Sequence, residues 1–166
     1  MDVMNAVVEF GTDAVLRYRT MSQKPDNEVQ EYFLGSCIAQ RLHDRFACCV
    51  QLEPLYADIA MYQNGFPPAI IELKIPDERH PLVDVEFDAF KLRRLGKICK
   101  IRGYVGVLIC QTTDSLEEQT ERLETALQGK FHTWTAQRSR DGQWQWCLGC
   151  SLVSDNPQPD GIGDVT

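Results

Sequence analysis

The centre of the sequence reads Tyr56-Ala57-Asp58-Ile59-Ala60-Met61-Tyr62-Gln63-Asn64-Gly65-Phe66-Pro67-Pro68-Ala69-Ile70-Ile71-Glu72-Leu73-Lys74-Ile75. Its first seven residues alternate with period two, and Asn64-Gly65 is a dipeptide typical of tight turns. The residues from Ala69 to Ile75 then form a second run with the composition of a strand. The pattern therefore predicts a β-hairpin.

The predicted hairpin has one charged face and one apolar face. If its loop closes symmetrically about Gly65 and Phe66, Asp58 lies opposite Lys74 and diagonal to Glu72, at roughly 5 and 7–8 Å between backbone positions. One divalent cation can bridge such a span. Alternation along each strand puts four apolar side chains on the other face: Ile59, Met61, Ile71 and Leu73.

Length and composition predict one folded domain. The chain has 166 residues, of which 43% are hydrophobic and 25% are charged, and this is enough to bury a core without disulfides. We expect residues 1–155 to form the domain and residues 156–166, which are rich in Pro, Gly and Asp, to be a disordered tail. No apolar run reaches the length of a membrane span and no signal sequence is apparent, so we expect a cytoplasmic location and no membrane partner.

The seven cysteines are an odd number scattered among apolar positions. This distribution predicts buried free thiols rather than a disulfide framework. Cys147 and Cys150 have a spacing that begins many zinc sites, but no second Cys or His pair follows at the required distance. A zinc site is therefore not expected.

Helical and strand periodicities alternate along the rest of the chain. They predict helices at residues 2–20, 28–46, 85–101 and 115–129, and strands at residues 46–55, 104–110, 131–137 and 143–152. The strand from Tyr104 to Cys110 is apolar throughout, as in a strand that is covered on both faces. The fold class predicted is α/β, with a central mixed β-sheet flanked by helices.

Two details of the predicted helices matter for the site. The second helix is expected to begin at an N-cap supplied by Asp26 or Asn27, with Glu31 on its apolar stripe. The third helix is expected to bury a stripe of four apolar residues: Phe87, Phe90, Leu95 and Ile98.

Glu31 is predicted on a helix, Asp58 on a strand and Glu72-x-Lys74 on the partner strand, and a helix and an apolar strand follow. This order resembles the PD-(D/E)XK nuclease superfamily. The resemblance covers about residues 28–110, and it implies a restriction-endonuclease-like core. Ala57 stands where the motif name has proline, a departure that many members share. The resemblance implies hydrolysis of phosphodiester bonds with one or two Mg²⁺ ions, or Mn²⁺, and nucleic acid, DNA in the first place, as the partner.

The residue types suit that chemistry. Mg²⁺ prefers hard oxygen ligands and keeps waters that a phosphate oxygen can replace. Asp58 and Glu72 would hold the metal, with the Leu73 carbonyl as a third ligand and Glu31 completing the set; Glu28 is the fallback for Glu31. Lys74 would orient the attacking water and offset the charge that grows on the phosphorus.

Basic residues on the third helix could contact the substrate. The net charge of −7 argues against adhesion of nucleic acid to the whole surface, so any basic patch is local. Lys91, Arg94 and Lys97 are the candidates for substrate binding. Asp88 could reach the same site as Lys91, although a solvated pair with Lys91 is the favoured interpretation for it.

Three functions stay open at this point. The first is a nuclease that acts alone, as a homodimer or within a larger complex. The second is a noncatalytic binding module that keeps the nuclease fold as a scaffold. The third is an interaction protein in which Asp58 and Lys74 form a surface ion pair of about 0–1 kcal/mol. Fold resemblance alone does not distinguish them.

Overall fold

A computed structural model describes residues 2–22, 29–52, 57–62, 69–75, 83–110, 116–129, 131, 133–138 and 144–155. These contain the helices α1 (Val3–Ser22), α2 (Glu31–Phe46), α3 (Val83–Cys99) and α4 (Leu116–Leu127). The strands are β1 (Cys49–Leu52), β2 (Ile59–Tyr62), β3 (Ala69–Lys74), β4 (Arg102–Cys110), β5 (Thr133–Arg138) and β6 (Trp144–Asp155). The expected tail at residues 156–166 and the fallback Glu28 lie outside the described residues.

The six strands form one mixed sheet in the order β1-β2-β3-β4-β6-β5. β3 and β4 are parallel, with α3 between them in the chain, and every other neighbouring pair is antiparallel. The predicted α/β class with a mixed central sheet is confirmed. None of the described helices is long and apolar enough to cross a membrane.

Helices cover both faces of the sheet. On one face, α1 and α2 pack against Ile59, Met61, Ile71 and Leu73, so the predicted apolar face of the hairpin is confirmed. Gly11 lets α1 approach closely, because a Cβ atom there would lie 2.4 Å from Leu148 Cδ2. On the other face, α3 and α4 pack against a second apolar cluster. β3 is therefore buried along its whole length up to Leu73.

The hairpin register differs from the expected one by two residues. The observed pairs are Ile59 with Ile71 and Ala60 with Ile70. Continuing this register puts Asp58 level with Glu72, so the expectation that Asp58 lies opposite Lys74 is wrong. A shift of two residues leaves every side chain on its predicted face.

Two helix predictions are also corrected. α2 begins at Glu31 and its N-cap is Gln30, which makes no side-chain capping bond, so the helix does not extend to a cap at Asp26 or Asn27. On α3 the buried residues are Val85, Asp88, Ala89, Leu92 and Gly96. Three of the four residues expected in its buried stripe, Phe87, Phe90 and Ile98, are exposed instead.

The cysteine prediction holds for part of the set. Cys48, Cys147 and Cys150 are free and buried, whereas Cys49 and Cys99 are free and exposed. Burial raises the pKa of the Cys147 thiol to about 12, which keeps this thiol protonated and unreactive at neutral pH.

Candidate active site

Four carboxylates and two lysines meet at the carboxyl end of β3, where α2 begins and α3 crosses the sheet. We call this group the carboxylate–lysine cluster. Its members are Glu31, Asp58, Glu72, Lys74, Asp88 and Lys91. The six residues come from three separate stretches of the chain, which are the β2–β3 hairpin, α2 and α3. The cluster therefore exists only in the folded protein.

Asp58 and Glu72 form the part of the cluster that the hairpin supplies. The Leu73 N–H donates a hydrogen bond of 2.6 Å to Oδ2 of Asp58, and this fixes the carboxylate beside the strand that carries Glu72. The Glu72 side chain faces α3, on the sheet face opposite to Leu73. Glu72 is only 2% exposed, a degree of burial that is rare for a carboxylate without a compensating charge.

Lysines from the strand and from α3 supply the compensating charge. Lys91 Nζ lies 2.5 Å from Oε1 of Glu72 and 3.1 Å from Oδ1 of Asp88. Lys74 Nζ lies 3.3 Å from Oδ2 of Asp88 and 3.6 Å from Oε2 of Glu31. Asp88 therefore bridges the two lysines.

Glu31 joins α2 to the end of β3. It is the first residue of the helix, and its Oε1 accepts a hydrogen bond of 3.1 Å from the Ile75 N–H. A negative charge at a helix N-terminus is favoured by the helix dipole. Glu31 thus has a structural role in addition to its contact with Lys74, and it sits at the edge of the cluster, with 38% of its side chain exposed.

Burial changes the protonation of the cluster. Burial raises the pKa of Glu72 to about 7; the nearby charge of Asp58 adds to this rise, and the contact with Lys91 opposes it. Glu72 therefore holds its proton at a much higher pH than an exposed glutamate does. Burial acts to lower the pKa of Lys74 and of Lys91, but the neighbouring carboxylates outweigh it and raise both values. Both ammonium groups stay charged at neutral pH.

Two buried oxygens have unused acceptor capacity. Among the described residues, Oε1 of Glu72 and Oδ2 of Asp88 have no hydrogen-bond partner. Each is within ion-pair distance of a lysine Nζ, so its charge is compensated. Buried polar atoms of this kind are uncommon in native proteins, and an ion or water is one way to satisfy them.

The predicted metal ligands come together only in part. Asp58, Glu72 and Leu73 lie at one place on the hairpin, whereas Glu31 is bound to Ile75 and Lys74. Within the described ranges, no three His, Cys, Asp or Glu side chains form a group that could hold one ion. A site built from Asp58 and Glu72 is compatible with this, because Mg²⁺ usually takes one or two carboxylates and completes its shell with water and phosphate oxygens.

The basic residues of α3 divide into two groups. Lys91 points into the cluster, and the Arg93 guanidinium donates to the Leu127 carbonyl of α4. Arg94 and Lys97 lie exposed on the outside of the helix. Of the three predicted substrate-binding residues, the structure places only Lys91 against the carboxylates.

Asp88 is the residue that sequence reasoning undervalued. Asp88 is 4% exposed, so the interpretation as a solvated pair is wrong for it. The available signal was its position in the sequence. Asp88 falls three residues after Val85 and four before Leu92, which is the spacing of one helix face, and both of these residues are buried.

A groove of about 310 Å³ lies elsewhere, between α1 and α2. It is lined by apolar and basic side chains that include Phe10, Phe33, Arg17 and Arg41, and by none of the cluster residues. Arg41 is paired with Asp13 and lies over the Phe10 ring. A serine and a free cysteine thiol also line the groove, but it has no pair of carboxylates and is not the site of the predicted chemistry.

Comparison of the chain with protein-family models, with curated proteins and with solved structures gives no match.

Proposed function

We propose that this protein is a metal-dependent nuclease with a restriction-endonuclease-like core, which hydrolyses phosphodiester bonds, DNA in the first place. The observation that carries the proposal is the burial of Glu72, 2% exposed, beside Asp58 at the end of the hairpin. Lys74 is the next residue of β3 on the same face of the sheet as Glu72. Such a costly arrangement is typical of functional sites, where burial and charge partners shift pKa values.

The order of the elements supports the same proposal. α2 precedes the antiparallel strands β1, β2 and β3, and α3 then crosses to β4, which pairs parallel with β3. This is the arrangement that the resemblance of residues 28–110 implies. In open α/β sheets, ligands bind outside the carboxyl ends of the strands, and the cluster lies at the carboxyl end of β3.

The charge of the cluster suits a divalent cation. Four carboxylates and two ammonium groups leave a formal charge of −2 when all six are ionised. Asp58 and Glu72 would hold a Mg²⁺ or Mn²⁺ ion. The Leu73 carbonyl would assist, because the N–H and C=O groups of one strand residue point to the same edge and the Leu73 N–H points to Asp58. When bound, such an ion acidifies a water molecule and polarises the phosphate.

The protein's own groups have defined tasks in this proposal. The Leu73 N–H holds the Asp58 carboxylate in place. The raised pKa of Glu72 favours its protonated form. Glu72 therefore has to lose this proton before it can act as an anionic ligand. Lys74 stays charged and offsets the negative charge that develops on the phosphoryl group. Asp88 and Glu31 orient Lys74.

A noncatalytic module of the same fold is the second candidate. The favouring observation is that Lys91 already lies 2.5 Å from Glu72 and that Lys74 already lies between Asp88 and Glu31. The cluster can thus neutralise much of its own charge and act as a structural tie between α2, β3 and α3. In that case the site binds no divalent ion.

The experiment is cleavage of linear and circular DNA, and of RNA, by the purified full chain with Mg²⁺ or Mn²⁺. The test variants are Asp58→Asn, Glu72→Gln and Lys74→Met. Asp44→Asn and Glu121→Gln are matched controls, because both residues are exposed on helices away from the cluster. The proposal expects cleavage by the parent and both controls and a loss of at least 100-fold, on the order of one catalytic group, in each test variant.

Calorimetry with Mn²⁺ separates the two candidates. Binding that is lost in Asp58→Asn supports the nuclease. A parent chain that neither cleaves nucleic acid nor binds Mn²⁺ at millimolar concentration would leave the noncatalytic module as the function.

A further inference from the structure

The outward face of α3 carries an apolar stripe. Its apolar members are Val83, 64% exposed, Phe87, 64%, Phe90, 61%, and Ile98, 68%. With Arg94 they are spaced by four, three, four and four residues, which places all five on one helix face. We call these five residues the α3 stripe. It lies on the side of the helix opposite to the buried residues Val85, Leu92 and Gly96.

The stripe is large for an exposed surface. Four apolar side chains at these exposures present on the order of 500 Å² of apolar area, close to the largest patch that a typical monomer carries. A patch of this size is usually a site of association.

The charges beside the α3 stripe match the charges of a second copy of α3 that packs antiparallel to it. Glu86 is in the first turn of α3 and Lys97 is in the last. Both lie on the same flank of the stripe, and Arg94 lies within it. When two identical helices pack antiparallel, the same flanks face each other. Glu86 of one copy would then lie beside Arg94 and Lys97 of the other.

We infer that α3 pairs antiparallel with α3 of a second copy of this chain around a twofold axis near Phe90. Val83 packs against Ile98 of the other copy, and Phe87 packs under its Arg94, where the guanidinium contributes a cation–π contact. In the same pairing, Glu86 of each copy lies beside Arg94 and Lys97 of the other copy.

The charges favour this occupant over nucleic acid. Asp84 and Glu86 stand at the amino end of α3, and the chain as a whole carries −7, so a phosphate backbone lying along the full stripe would meet repulsion at one end. The pairing depends on the outward side of α3 alone and does not require nuclease activity.

The dimer is expected to be weak. Stable interfaces bury roughly 800 Å² per partner, and the α3 stripe with its flanking stems supplies only part of that area. We therefore expect dissociation on dilution, with a midpoint on the order of micromolar.

Sedimentation velocity of the full chain from about 1 to 300 µM tests the inference. We expect a shift from monomer to dimer over this range. Phe90→Glu should remain monomeric throughout, while circular dichroism shows a folded chain. Tyr32→Glu is the matched control, because Tyr32 is 65% exposed on α2, and it should dimerise like the parent. A parent chain that is monomeric at all concentrations, or a Phe90→Glu variant that still dimerises, overturns the inference.

A charge exchange tests the antiparallel geometry. Glu86→Lys and Lys97→Glu should each weaken the dimer by about fivefold to tenfold, because each puts like charges together. The double variant should recover part of the lost affinity, because it restores an opposite-charge pair between positions 86 and 97 but leaves a like charge facing Arg94. If the two effects simply add in the double variant, Glu86 and Lys97 do not meet across the axis and the proposed pairing is wrong.

Discussion

Lys91 reaches from α3 to within 2.5 Å of Glu72 on β3, and yet the pKa of Glu72 is raised to about 7. The two facts are consistent because the loss of water around Glu72 outweighs the attraction of one ammonium group. Ionised Glu72 is therefore less favourable in the folded protein than in the unfolded chain.

The pH dependence of stability should report Glu72. A carboxyl group whose folded pKa is raised from 4.5 to about 7 binds its proton more tightly in the folded protein. Its contribution to the free energy of unfolding is therefore largest below about pH 4.5 and falls as the pH rises to about 7, by up to about 3 kcal/mol. Urea unfolding of the parent and of Glu72→Gln at several pH values measures this difference.

The stability of the parent relative to Glu72→Gln should decrease between pH 5 and pH 7. The control Glu121→Gln, at an exposed position on α4, should run parallel to the parent over the same range. A constant difference between the parent and Glu72→Gln would mean that Glu72 titrates like an exposed carboxyl group.

Divalent cations should stabilise the protein more at high pH than at low pH. In the proposed function Asp58 and Glu72 bind the cation through the ionised form of Glu72, so affinity for Mn²⁺ should fall, by up to about tenfold per pH unit, as the pH drops below about 7. The unfolding temperature with and without millimolar Mn²⁺ at pH 6 and pH 8 measures this effect.

The matched variants define where the cation acts. Asp58→Asn keeps an acceptor for the Leu73 N–H but removes the charge, so it should fold and lose the stabilisation by Mn²⁺. Asp44→Asn, on the exposed side of α2, should keep it. Equal stabilisation of both variants would place the cation elsewhere on the chain.

Removal of the Lys91 ammonium group should be costly. Lys91→Met removes the ammonium group that contacts both Glu72 and Asp88, and breaking a buried ion pair in this way costs about 3–5 kcal/mol. The loss should be smaller at pH 5, where Glu72 is protonated. Lys100→Met, at an exposed position just after α3, should change the free energy of unfolding by less than about 0.5 kcal/mol. Similar losses for both variants would show that Lys91 is not part of a buried pair.

Close packing around Leu73 should make Gly106 sensitive to substitution. A Cβ atom at Gly106 would lie 2.8 Å from Cδ2 of Leu73 and 3.3 Å from Cγ1 of Val7. Gly106→Ala is therefore expected to destabilise the protein by about 1–3 kcal/mol. Gly129→Ala, whose nearest neighbour would be 3.8 Å away, should cost less. Thermal unfolding of the two variants makes the comparison, and equal stability would contradict it.

Periodicity in the sequence was sufficient to predict the hairpin and its apolar face. Ile59, Met61, Ile71 and Leu73 pack where the alternation predicted, because a strand residue has only two faces to choose from. Alternation does not determine the register, because a shift of two residues leaves every side chain on the same face of the sheet. The predicted pairing of Asp58 with Lys74 was therefore wrong.

The composition of α3 misled the prediction of its buried face. Phe87, Phe90 and Ile98 are more apolar than Asp88 and Gly96, yet the latter two face the sheet. Gly96 is required there because a Cβ atom would lie 1.8 Å from Oγ of Ser154, and Asp88 is held by two lysines. Neither contact is visible until the elements are assembled in three dimensions, so the sequence alone favoured the wrong face.

The parallel pairing of β3 with β4 has a consequence for folding. Asp58 and Glu72 are close in sequence and can meet as soon as the hairpin forms, whereas Asp88 and Lys91 arrive only when α3 docks and β4 pairs with β3. Non-local pairing of this kind is slow relative to hairpin closure. We expect pulse-labelled hydrogen exchange to protect the amides of β2 before those of β4, so that the newly made chain passes through a stage in which its acidic residues are together and its counter-charges have yet to reach them.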